Sequence, residues 1–236
     1  MGKVVLLTGV RRIGKALALE LLRRGYRVAA VYRSSLPKEL EGKVLAVKAD
    51  LSKETGVKAV EAVKERFGRL DAFVHLASPY EELPLERVTP EMLEGYFNAV
   101  TRSFFFITVE AAKLMSKNEG AVKGRVVAFG DWAVDCPYRG YAPYFVAKAA
   151  LHGAVKVLAK ELAPSVLVNG IALGPVLKAE QYDEEKWERV IRRTPIGRPV
   201  PLKEVVKLTL FLLETEGTTG ELVRLDGGRH LAGPGA

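Results

Sequence analysis

With one cysteine, Cys136, the chain can close no disulfide within itself. The histidines are His75, His152 and His230, too scattered to give metal-ligand spacing, so no structural metal is expected. Amides are scarce as well. Asparagine occurs only at 98, 118 and 169 and glutamine only at 181, in a chain that is 27% charged. Proteins that work at high temperature share this bias. No apolar run approaches the roughly 18 residues of a membrane span. Met1-Gly2-Lys3-Val4-Val5 enters a strand-like run at once, without a signal-peptide pattern, so a cytoplasmic protein is expected. The formal charge of +8 could attract nucleic acid. However, lysine and arginine are spread over the whole chain with no basic tail or nucleic-acid module, and no such partner is expected.

What the chain does have is a regular alternation of short apolar runs and helical patterns. The spacing predicts strands at Val4–Thr8, Arg27–Tyr32, Lys43–Lys48, Asp71–Leu76, Arg125–Phe129, Val166–Ile171 and Glu221–Leu225. It predicts helices over Ile13–Arg24, Lys53–Phe67, Pro90–Met115, Pro143–Leu162 and Lys203–Leu213. Strands separated by helices imply parallel crossovers. The expected fold is α/β: one doubly wound, Rossmann-like domain over residues 1–236, with a seven-stranded parallel sheet and helices on both faces. The least regular stretch, 174–182, follows a strand end, where ligands bind in such sheets, and is a candidate substrate lid.

Two segments point to a phosphorylated dinucleotide. The first strand runs into Thr8-Gly9-Val10-Arg11-Arg12-Ile13-Gly14. Glycines at 9 and 14 let the backbone turn close to a pyrophosphate, and the following helix offers free N–H groups. The second strand ends in Tyr32-Arg33-Ser34-Ser35, with no acid to bind a ribose 2′-hydroxyl. Arg33 offers a planar fork to a 2′-phosphate and Ser34 a hydroxyl, so with Arg11 or Arg12 nearby the expected cofactor is NADP(H).

The strongest signal is Tyr144-Phe145-Val146-Ala147-Lys148. Tyrosine and lysine four apart share a helix face. An ammonium beside a phenol should stabilise the phenolate and lower its pKa. Tyr144 could then deliver a proton as hydride arrives.

These residues resemble the short-chain dehydrogenase/reductase family, whose usual fingerprint is Thr-Gly-x-x-x-Gly-x-Gly. Here the loop is one residue shorter, and Arg12 stands where the middle glycine would be, as in the pteridine reductase-like branch. There, an arginine contacts the cofactor phosphates. The resemblance implies that Lys148 binds the nicotinamide ribose and anchors a proton relay. It implies that Asp50, followed by Leu51, takes the adenine amino group. Asn98 matches the asparagine that holds the relay water. In place of Asn-Asn-Ala-Gly the chain has His75-Leu76-Ala77-Ser78, so that loop must be braced differently. Ala77 and Ser78 border the cofactor. Tyr80 takes the place of an aromatic that stacks a pterin against the nicotinamide. Near Gly174, Val176 would offer its backbone to the carboxamide.

Where the broad family has a serine, this chain has Asp131, thirteen residues before Tyr144. An ionised carboxylate only accepts hydrogen bonds, which suits a substrate with N–H donors. The resemblance therefore implies reduction of a C=N bond in an oxidised pterin or folate, with Ser78, Tyr80, Asp131 and Tyr144 at the substrate. A carbonyl reductase acting on a ketone or 3-oxoacyl thioester is the enzymatic alternative, and a non-catalytic NADP(H)-binding regulator the alternative of another class. Family members are usually dimers or tetramers built through the two long helices. Phe104, Phe105 and Phe106 cannot all face one core, because successive helical residues project about 100° apart. A homotetramer or dimer is expected.

Overall fold

The structure, a computed structural model, describes residues 2–232; Met1 and residues 233–236, the ends of the expected domain, lie outside them. Seven strands are present: β1 (Val4–Thr8), β2 (Arg27–Tyr32), β3 (Leu45–Lys48), β4 (Ala72–His75), β5 (Gly124–Asp131), β6 (Val166–Leu173) and β7 (Leu222–Leu225). All pair in parallel, in the order β3-β2-β1-β4-β5-β6-β7. The helices are α1 (Ile13–Arg23), α2 (Lys58–Phe67), α3 (Pro90–Phe97), α4 (Ser103–Met115), α5 (Ala142–Leu162), α6 (Glu184–Arg192) and α7 (Leu202–Glu214). None is long and apolar enough to cross a membrane.

Successive strand residues point to opposite faces, and β1 shows the result. Val4 and Leu6 enter a core shared with α2, α4 and α5. Val5 and Leu7 enter a second core with α1 and α7. Being buried on both sides, the strand is apolar throughout, as a central parallel strand must be. The chain order reverses between β1 and β4, which opens a crevice above their carboxyl ends. Thr8, His75 and Asp131 all end strands at this edge.

Three departures from the sequence expectation matter. The helix expected from Lys53 starts at Lys58, because Gly56 adopts φ +76 and ends the preceding turn there. The helix expected over Pro90–Met115 is broken by a π-turn at Asn98–Arg102. Helix α6 was not anticipated. It buries none of its residues, so no wide apolar stripe announces it, although Asp183 caps it by accepting the Lys186 N–H at 2.7 Å.

Phe104 is fully buried, whereas Phe105 and Phe106 are exposed. Its ring packs on Phe73 at 6.3 Å and on His75 at 5.7 Å between centroids. Phe104→Ala should therefore lower stability by about 3–5 kcal/mol, through lost burial and the cavity left behind. Phe105→Ala, on the same helix, should change stability far less. Denaturant unfolding of both variants measures the contrast.

Candidate active site

Helix α5 builds the catalytic face. Tyr144 and Lys148 lie one turn apart near its start, and both are buried. The carboxyl end of β5 presents Asp131 to the same space. The Tyr144 hydroxyl donates to Asp131 Oδ2 at 2.6 Å, while Asp131 Oδ1 accepts the Ala133 N–H at 2.7 Å. The carboxylate thus caps the short turn that follows and faces Tyr144 at once. Behind it, the Asp131 backbone N–H donates to His152 Nε2 at 3.3 Å. Lys148 Nζ donates to the Phe129 carbonyl at 2.5 Å and lies 5.6 Å from the centre of the Tyr144 ring.

The electrostatics correct one expectation. Burial raises the Tyr144 pKa well above that of a free tyrosine, and the neighbouring Asp131 carboxylate raises it further. The ammonium of Lys148 does not prevail, because its nearest polar contact is a carbonyl on β5. Tyr144 is a neutral phenol held as a donor. Burial also pushes the Asp131 carboxyl up, against the opposing hydrogen bonds from Tyr144 and Ala133. Lys148 is lowered to about 8, again by burial.

Asn98 begins the π-turn between α3 and α4. Its side chain donates to the Ser52 carbonyl at 3.2 Å. The π-turn that begins at Asn98 turns Ala99, Val100 and Thr101 inward and leaves Asn98 half-buried at the side. Asn98 therefore braces the turn after β3. In that turn Asp50 Oδ1 accepts from the Ser52 hydroxyl at 2.6 Å and from its N–H at 3.1 Å, and Leu51 is buried. The Ser52 hydroxyl, and at longer range Arg33, hold the Asp50 carboxyl below its ordinary range.

The first loop fits a dinucleotide phosphate. Gly9 has φ +74, and a Cβ there would lie 2.7 Å from the Ala77 nitrogen. A Cβ at Gly14 would lie 2.3 Å from the Gly9 carbonyl oxygen. Only glycine permits this packing, which brings the N-terminus of α1, at Ile13, to the crevice. That first helical turn carries no acid, and Arg11 and Arg12 are exposed beside it. Tyr32 ends β2, with Arg33 and Ser34 exposed just beyond.

Tyr80 stands over the catalytic pair, its ring edge-on to Tyr144 at 4.9 Å between centroids. It is not alone. Tyr141 stacks on it at 4.6 Å, and the Tyr80 hydroxyl lies 2.7 Å from those of both Tyr138 and Tyr182. The sequence reading missed these three. Tyr138, Tyr141 and Tyr144 recur every third residue, a spacing that could have drawn notice. Tyr182 belongs to the suspected lid, which reaches both halves of the crevice. Arg11 pairs with Glu180 at 3.1 Å and Arg12 donates to the Lys178 carbonyl, while Gln181 Nε2 donates to the Tyr80 carbonyl at 3.1 Å. A Cβ at Gly174 would meet the Asp226 Cα at 2.4 Å, and the Val176 side chain is buried in the α1/α7 core. The Ser78 hydroxyl donates to the Pro79 carbonyl at 3.2 Å. Among the described residues, no group of three His, Cys, Asp or Glu side chains could hold a metal ion.

A doubly wound sheet with a tyrosine and a lysine one helical turn apart above its switch point defines a nucleotide-dependent oxidoreductase architecture. Residues 9–230 match a family model described as enoyl-(acyl carrier protein) reductase, and the chain belongs to the short-chain dehydrogenase/reductase family. A dihydromonapterin reductase from Shigella boydii serotype 4 (strain Sb227) is 32% identical over 98% of this chain and 100% of its own length. One from Citrobacter koseri is 29% identical, over 97% and 96%. Among solved structures, acetoin dehydrogenase from Enterobacter cloacae superposes with TM-score 0.86 at 30% identity, covering 100% of this chain and 98% of that one. FolM alternative dihydrofolate reductase 1 from Brucella canis, complexed with NADP, gives 0.85 at 28% identity, covering 97% and 94%.

The Asp131–Tyr144 bond generates a spectroscopic prediction. Asp131→Asn removes the negative charge but leaves Tyr144 buried, so the Tyr144 pKa should fall towards the ordinary tyrosine range. Ultraviolet titration of tyrosinate, with Tyr144→Phe to identify the signal, reads the shift. An unmoved titration would show that burial alone sets it.

Proposed function

We propose that this chain is an NADPH-dependent reductase, formed by one domain over residues 1–236, that reduces a C=N bond of an oxidised pterin or folate. The observation that carries this reading is the 2.6 Å hydrogen bond from Tyr144 to Asp131. A carbonyl reductase needs donors at the substrate oxygen, and a carboxylate facing a developing alkoxide would oppose the reaction. An aminopteridine instead brings N–H donors for Asp131 to accept and a ring nitrogen that must gain a proton. Tyr80 supplies a flat face beside Tyr144 for the heterocycle. The pterin-reducing relatives and the NADP-bound neighbour support the same substrate and cofactor.

When bound, NADPH supplies the hydride to the ring carbon next to the nitrogen. Arg11, Arg12 and the α1 N-terminus at Ile13 would hold its pyrophosphate, with Gly9 and Gly14 permitting the approach. Arg33 and Ser34 would hold its 2′-phosphate. Asp50 and Leu51 would border the adenine, and Ala77, Ser78, Gly174 and Val176 the nicotinamide half. The proton for the nitrogen comes from the Tyr144/Asp131 pair, which binds it in a buried site before hydride arrives. Lys148 places a charge next to the pair and is the candidate ligand of the ribose. Asn98 positions the Asp50 turn through Ser52.

Initial rates of NADPH oxidation test the reading. Dihydropteridines and dihydrofolate should turn over, and a ketone and 3-oxoacyl panel should not. Asp131→Ala should cost on the order of a hundredfold or more. The acetoin dehydrogenase likeness favours the carbonyl alternative, for which Asp131→Ser would preserve or raise activity. Tight NADPH binding without turnover of any substrate would instead mark a regulator.

The pH profile has a definite sign. Pterin reduction consumes a proton, and burial raises the Asp131 pKa, so the protonated pair persists to higher pH than a free carboxyl would. The rate should fall as pH rises through that raised value, and Asp131→Asn should abolish this limb. A profile that rises instead with pH would contradict the role.

Exposed apolar side chains on α3, α4 and α5, namely Phe97, Phe105, Phe106 and Val146, support a homo-oligomer, a tetramer or dimer. The enzyme is proposed to act in the cytoplasm. Light scattering should give a multiple of the 25.8 kDa chain mass, and Phe106→Glu should lower it.

A further inference from the structure

His75 stands where the family motif begins with asparagines, and its surroundings fix what it does. The Thr8 hydroxyl lies 2.9 Å from His75 Nδ1, and 3.3 and 3.4 Å from the backbone nitrogens of Leu76 and Ala77. Both N–H groups can only donate, and Leu76 also donates to the Thr8 backbone carbonyl at 3.2 Å. The hydroxyl accepts from Ala77, and directing its own proton to Nδ1 leaves the imidazole proton on Nε2, the side of the Ala99 and Val100 backbone. That atom is fully buried without a hydrogen-bond partner, and the polar groups nearest its line are the backbones of Ala99 and Val100 in the π-turn. A π-turn widens the helical hydrogen-bond ladder at this point.

The network continues to the catalytic helix. The Thr101 hydroxyl, in the same π-turn, donates to the Ala147 carbonyl at 2.7 Å, next to Lys148. The Ser103 hydroxyl holds the Ala99 carbonyl at 2.7 Å. The imidazole packs against both Phe73 and Phe104, at 5.9 and 5.7 Å between centroids. Burial, helped by the nearby Lys148 charge, lowers its pKa to about 3, so the ring stays neutral and carries no proton through the reaction. On the other side, the Ala77 nitrogen is the atom against which Gly9 packs.

We propose that His75 is the positioning residue that locks the Leu76–Ala77 backbone to the Tyr144/Lys148 helix, and so aligns the nicotinamide end of the cofactor with the proton-donating pair. The inference rests on the cofactor and catalytic pair proposed above. It differs from a packing role because it requires one tautomer, with Nδ1 held by the Thr8 hydroxyl and the Nε2 proton turned to the Ala99 and Val100 backbone, which an apolar ring of similar volume cannot provide.

The test uses the full chain with His75→Phe, His75→Asn and Thr8→Val. Nitrogen-15 NMR of the wild-type imidazole, recorded without substrate, should show the Nε2-protonated tautomer. An Nδ1-protonated ring overturns the proposal whatever the enzyme reduces. His75→Phe should lower kcat by on the order of tenfold to a hundredfold, leave the KM for the dihydropteridine within about twofold, and change the primary isotope effect with deuterated NADPH. His75→Asn, whose amide again offers an acceptor to Thr8 and a donor to the π-turn, should recover most of kcat. If His75→Phe does not fold, Thr8→Val must give the same split between kcat and KM. Folded variants with wild-type kcat and isotope effect would refute the role. If the wild type reduces no pterin, the tautomer and the NADPH affinity of each variant still decide, since affinity should weaken in Phe and Val and recover in Asn.

Discussion

One hydrogen bond organises this molecule: the Tyr144 hydroxyl on Asp131, made where both partners are shielded from water. Burial raises the proton affinity of both groups; the carboxylate raises that of the phenol further, while the phenol's hydrogen bond partly offsets the rise at Asp131. The scaffold serves to keep that pair dry and aligned. Strand β5 extends to Asp131 and ends there, α5 starts at Ala142, two residues before Tyr144, and the Tyr80, Tyr138, Tyr141 and Tyr182 rings close over the top.

Much of this was legible in the sequence. Apolar runs buried on both faces announced β1, β2, β5 and β6, because a central parallel strand has no solvent side to leave a polar trace. Tyr144 and Lys148 were legible because a helix has a fixed period. Asp131 was legible as a departure from a pattern. The turn with Gly9 was legible because its positive φ leaves few other residues possible.

What escaped was whatever depends on packing between distant segments. The π-turn at Asn98–Arg102 inserts an extra residue into a helix whose apolar pattern reads as continuous, and the contact of the Asn98 side chain with Ser52, 46 residues away, leaves no trace in that pattern. The Tyr144 pKa was misjudged in direction because sequence spacing shows that a lysine is near but not that the phenol is buried beside a carboxylate. Helix α6 was missed because it is short and buries none of its residues. The tyrosines around Tyr80 come from two separate stretches, and only the folded chain brings them to it.

The close approach of Gly9 to Ala77 has an evolutionary side. Two loops that are distant along the gene act as one solid piece, with less than a side chain's clearance between them. Neither can drift alone: an added methyl on one must be matched by a retreat of the other. A chimera carrying one loop from a relative without the other would inherit a misfit at the centre of the sheet.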